Sequence, residues 1–80
     1  MNPERLQLKG MLAESRKKFR TIDTECSGLV ILIRSLLNPY DEILNIDTEK
    51  VLVSVQRLSK LQNEMKETSA KIKKLEFDLE

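Results

Sequence analysis

Three groups of side chains in this 80-residue chain are of types that could do chemistry. The first is Cys26, the one thiol, which could serve as a nucleophile or a soft-metal ligand. Either role needs a neighbouring base or further ligands, and the chain has no His and no second Cys. Placed on the apolar stripe described below, Cys26 reads instead as a small buried hydrophobe. The second group pairs Asp41 with Glu42 and Asp47 with Glu49, a possible acid–base couple or weak cation site. Acid–base work requires surroundings that desolvate a carboxylate and raise its pKa, and nothing near these four does so. A helix cap and a solvated turn account for them. The chain also lacks a glycine-rich phosphate loop, a nucleophile elbow and EF-hand spacing. The sequence therefore points to a nonenzymatic protein with no catalytic residue, no cofactor and no metal.

The third group is cationic. Arg16, Lys17, Lys18 and Arg20 form a run in the first half, and Lys71, Lys73 and Lys74 recur near the end. Together they could bind phosphate, as in a nucleic-acid-binding accessory whose affinity falls with added salt. The alternative is a solvated face laced with Glu14, Asp23, Glu64, Glu67, Glu76 and Asp78. Fourteen Lys plus Arg against thirteen Asp plus Glu leave a net charge of +1, so the whole-molecule field does not choose between these readings.

The elements that would position these groups are legible from periodicity. With 40% hydrophobic, 34% charged and 4% aromatic residues, two Gly and no Trp, the composition suits long amphipathic helices and excludes all-β folds. Leu8, Leu12, Ser15, Phe19, Ile22, Cys26, Leu29, Ile33 and Leu36 recur at alternating spacings of four and three, which is a heptad seam with Leu12, Phe19, Cys26 and Ile33 at a. A second seam places Val51, Leu58, Met65, Ile72 and Leu79 at a, with Ser54, Leu61, Thr68 and Leu75 at d. Asn2, Pro3 and Glu4 suit a helix start, and Asn38 before Pro39 a stop. Asp47 and Glu49 suit a second start. The expected fold is all-α: one helical-hairpin domain over 1–80, antiparallel and of coiled-coil type, with helices of about 3–37 and 48–78 around a turn at 38–47. Positions summing to 87 would then face each other, from Leu36 opposite Val51 to Leu8 opposite Leu79.

A two-helix seam leaves apolar residues over. Near the turn the chain also carries Val30, Ile31, Leu32, Leu37, Leu52, Val53 and Val55. An isolated hairpin of this size buries little core, so the surface built from Val30, Ile31, Leu37, Leu52, Val53 and Val55 is expected to bind a protein partner or a second copy. A dimer closing a four-helix bundle is the favoured homo-oligomer. In the alternative, Ile43, Leu44 and Ile46 fold back from the turn and cap these residues. The most apolar window, Leu29 to Leu37, is nine residues interrupted by Arg34, and the N-terminal sequence shows no signal-peptide pattern. The expectation is a soluble cytoplasmic protein with no membrane partner.

A long first helix closing in Leu37, Asn38 and Pro39, a short acidic linker, and Asp47, Thr48 and Glu49 opening a helix with Leu58, Leu61 and Gln62 resembles the small helical-hairpin proteins of Mu-like prophage early regions. The resemblance spans most of the chain. It implies a bacterial cytoplasm and a nonenzymatic accessory role in phage replication, transposition or host takeover, and it assigns no functional residue.

Overall fold

A computed structural model of the chain describes residues 2–80, which form two long helices joined by a short connection, with no strand among them. Helix α1 spans Pro3–Leu36, and helix α2 spans Thr48–Leu79. They lie antiparallel as a rod of 64 × 15 × 14 Å. At the start of α1, the Asn2 side chain accepts a hydrogen bond from the Glu4 N–H at 3.0 Å, and Pro3 occupies the first turn, where its missing N–H leaves nothing unsatisfied. The helix stops at Leu36, with Leu37 as its cap, because Pro39 forces Asn38 away from helical geometry. At the start of α2, the Asp47 carboxylate accepts from the Lys50 N–H at 3.0 Å.

The connection is a turn opened by Asn38, followed by a single 3-10 turn over Ile43–Asn45. The Asn38 side chain accepts from the Tyr40 N–H at 3.0 Å, and the Asn38 carbonyl accepts from the Asp41 N–H at 3.1 Å. This pattern is the local closure that Asn favours at turns. At the opposite end, the Arg5 guanidinium donates to the Leu79 carbonyl at 3.0 Å and ties the two helices together.

The seam between the helices follows the heptad spacing. Ile22, Cys26 and Leu61 form the central cluster, and Leu29, Leu58 and Met65 pack against it. These six residues are three successive layers of the register in which positions sum to 87. Burial is unevenly shared within the seam. On α2 the d residues Ser54, Leu61, Thr68 and Leu75 are all buried, while the a residues Val51, Leu58, Met65, Ile72 and Leu79 are half-buried. Ser15, Ser54 and Thr68 are as deeply buried as any leucine of the seam but Leu61 and Leu75.

In the register, a large half-buried residue stands opposite each small hydroxyl (Ile72, Ile33 and Phe19 respectively). The buried hydroxyls of Ser54 and Thr68 cost little, because they donate to the Lys50 and Glu64 carbonyls of their own helix at 2.8 and 2.7 Å. Among the described residues no side chain is fully enclosed and no helix is long and apolar enough to cross a membrane.

Candidate functional site

In an antiparallel pair with this seam, the residues just after the d positions of both helices line one flank, and those just before the a positions line the other. The first flank carries Arg16, Asp23, Val30 and Leu37 from α1, with Val55, Gln62, Ser69 and Glu76 from α2. The second carries Lys18, Glu25 and Leu32, with Arg57, Glu64 and Lys71. Two ion pairs mark them. Arg16 meets Glu76 at 3.6 Å on the first flank, and Arg57 meets Glu25 at 3.0 Å on the second. All four side chains are about half exposed, so each pair adds at most about 1 kcal/mol and orders the flank more than it stabilises it.

The apolar surface expected near the turn is open. Val30, Ile31, Leu37, Leu52, Val53 and Val55 are all exposed, Ile31 and Val53 at 69% and 64%. Leu32 is half-buried. The turn does not cover them, because Ile43 and Leu44 themselves stand 82% and 94% exposed. Ile46 alone is half-buried. The alternative in which the turn folds back as a cap is therefore not what the chain does. The six residues nevertheless do not make one patch. Val30, Leu37 and Val55 share the first flank with Leu52 at its edge, whereas Ile31 and Val53 lie a helical step further round, on the outer faces.

Two open grooves run along the first flank. One, of about 360 Å³, is lined by Cys26, Val30, Val55, Leu58, Gln62 and Met65. The other, of about 550 Å³, is lined by Phe19, Gln62, Met65, Ser69, Ala70 and Lys73. They meet at Gln62 and Met65, so the apolar surface continues from the turn end past the middle of the rod. Phe19, Leu58 and Met65 are half-buried seam residues, so part of each side chain is left to line the grooves. Neither groove is a pocket for a small molecule with polar groups converging on it; both are strips of aliphatic and thioether surface between two helices.

Cys26 lies at the floor of the first groove with its thiol 3.7 Å from the Met65 sulfur. Burial, followed by the nearby Asp23 and Glu25 carboxylates, pushes its thiol pKa up. The thiol is thus held protonated and unreactive, in keeping with a packing role. Among the described residues no cluster of three His, Cys, Asp or Glu side chains is placed to hold a metal ion.

The seven cations expected to form a patch are all exposed. They lie in the half of the rod away from the turn but on different faces. Arg16 is on the first flank with Arg20 and Lys73 at its edge, Lys18 and Lys71 are on the second, Lys17 is on the outer face of α1, and Lys74 is on the outer edge of α2. Arg16 is engaged by Glu76, and Lys73 lines the second groove beside Phe19. The arrangement is a positive band around the rod and not a track along one side of it. No family model matches the chain, and no curated protein or solved structure does either.

Proposed function

We propose that this chain is a nonenzymatic assembly module that works by docking its open apolar flank onto protein, in the first instance a second copy that completes a four-helix bundle. The observation that carries the reading is the exposure of Ile43 and Leu44, which leaves Val30, Leu37, Leu52 and Val55 uncovered. A seam with so little enclosed core gains most from a further layer of helices. The resemblance to prophage early-region hairpins would set such a module in a bacterial cytoplasm, as an accessory to phage replication, transposition or takeover.

Sedimentation equilibrium tests the reading. The expected result is a reversible association above the 9.3 kDa monomer that Val55→Glu abolishes while helicity persists. A 9.3 kDa species at high micromolar concentration would sink it.

A second reading, a nucleic-acid accessory, draws support from six exposed cations of the band that form no ion pair among the described residues. Mobility shifts with duplex and single-stranded DNA at low and moderate salt separate the two. Salt-sensitive binding lost when Arg16, Lys17, Lys18 and Arg20 become Ser would favour the second.

A further inference from the structure

Resting on the assembly reading, we propose that the partner on the first flank is a second copy of this chain laid side by side and antiparallel, with the two-fold axis passing beside Gln62. Two independent features point there. The first is the charge distribution along the rod. Residues 2–20 and 66–80, the half away from the turn, hold ten cationic and six anionic side chains, a net of +4. Residues 21–65, the turn half, hold four and seven, a net of −3, and the two halves account for the chain's +1.

Within one rod 64 Å long these halves do not neutralise each other, because salt screens charge over roughly 8 Å at physiological ionic strength. Side-by-side copies with turns together would set +4 against +4 and −3 against −3. Reversed copies set the positive half of each beside the negative half of the other, bringing the Arg5, Lys9 and Lys73 region toward Asp41, Asp47 and Glu49. Charge complementarity therefore selects the antiparallel arrangement.

The second feature fixes the register. The two grooves meet at Gln62 and Met65, so a two-fold axis beside Gln62 lays the first groove of each copy along the second groove of its partner. On α2, positions summing to 124 then face each other across the axis. Val55 meets Ser69, Ser59 meets Met65, and Leu52 meets Ile72, so that large residues oppose small ones or extend one apolar strip. Gln62 meets its own copy, where each side-chain amide can donate to the other's carbonyl, a polar contact of the kind that fixes register in coiled coils. Lys66 lies opposite Leu58, covering it with its aliphatic stem while its ammonium reaches water.

Cysteine cross-linking tests orientation and register together, in a Cys26→Ala background whose fold is checked by circular dichroism. Gln62→Cys should form a covalent dimer on mild oxidation, and a mixture of Val55→Cys with Ser69→Cys should form a mixed dimer. Val55→Cys alone should not. A measurement on the unaltered chain stands beside it: the dissociation constant from sedimentation should rise at least about threefold between low and 0.5 M salt. Covalent dimers through Val55→Cys or Leu52→Cys alone, or association that tightens with salt, would overturn the antiparallel arrangement while leaving self-association in place. A monomer at every concentration and salt would overturn both.

Discussion

Leu61 is where the hairpin should be most sensitive to truncation. Its side chain is 4% exposed, it is the one leucine of the central cluster, and Ile22, Cys26 and Met65 close over it. Removing three carbons forfeits most of the 1.5–3 kcal/mol that burying a leucine contributes, plus a penalty for the space left behind. Here that space abuts a groove, and the flexible Met65 can swing into part of it, so the cavity penalty stays small. Leu61→Ala should therefore cost about 2–3 kcal/mol, the lower part of the range for leucine truncations.

Against a total of roughly 4–12 kcal/mol for a chain of this length, that is a large fraction, and with a urea dependence of about 1 kcal/mol/M it moves the midpoint down by about 2–3 M. Leu58→Ala, at a half-buried position packed against that cluster, should cost about half as much in the isolated hairpin. Urea melts followed by circular dichroism, at the lowest concentration the signal permits so that association adds nothing, give both numbers. A cost for Leu61→Ala below about 1 kcal/mol, or below that of Leu58→Ala, would refute the assignment of the seam's centre.

Three further outcomes follow from local geometry. Gly28 lies inside α1 with nothing within 4 Å of where a Cβ would be, so Gly28→Ala should raise stability by about 0.5–1 kcal/mol in the same melts. Asp47→Ala removes the acceptor for the Lys50 N–H and should cost about 1 kcal/mol in the same melts, with only a small loss of ellipticity. Because burial raises the Cys26 thiol pKa above its unfolded value, its contribution to stability is whole below the unfolded thiol pKa of about 8.5 and is lost as pH rises through the folded value. Melts of the wild type and Cys26→Ala should accordingly keep a constant gap from pH 6 to 8 that narrows at higher pH, and iodoacetamide should label native Cys26 far more slowly than the urea-unfolded chain.

The hairpin was readable in the sequence because two requirements coincide in every layer: a heptad position and an apolar or small residue to fill it. The break at Pro39 was readable because proline acts on its predecessor whatever the tertiary context. The flank was not. A heptad letter says that Phe19, Leu58 and Met65 belong to the seam, but not that their half-buried side chains also line the grooves of the flank. The available signal is that Ser59, Gln62, Ser69 and Ala70 are uncharged on a face of α2 where charge would be expected. The fate of Ile43 and Leu44 was equally hidden, since an apolar residue in a turn is compatible with either folding back or standing in solvent. The short 3-10 turn at Ile43–Asn45 depends on local hydrogen bonds that no periodicity encodes.

The single connection between α1 and α2 also dictates the order in which the seam can form and fail. Leu36 and Val51, beside the turn, are 15 residues apart in sequence, whereas Arg5 and Leu79 are 74 apart. Pairing at the far end first would close the longer loop at an extra entropic cost of about 1.4 kcal/mol, given about 0.6 kcal/mol per doubling. Folding that starts at the turn avoids this, since each layer formed brings the next within short reach. Mechanical failure runs the other way. Because Arg5 and Leu79 sit side by side, a load applied across them acts on one layer at a time and peels the helices apart like a zip, whereas a load between the turn and that end is borne along both helix axes at once.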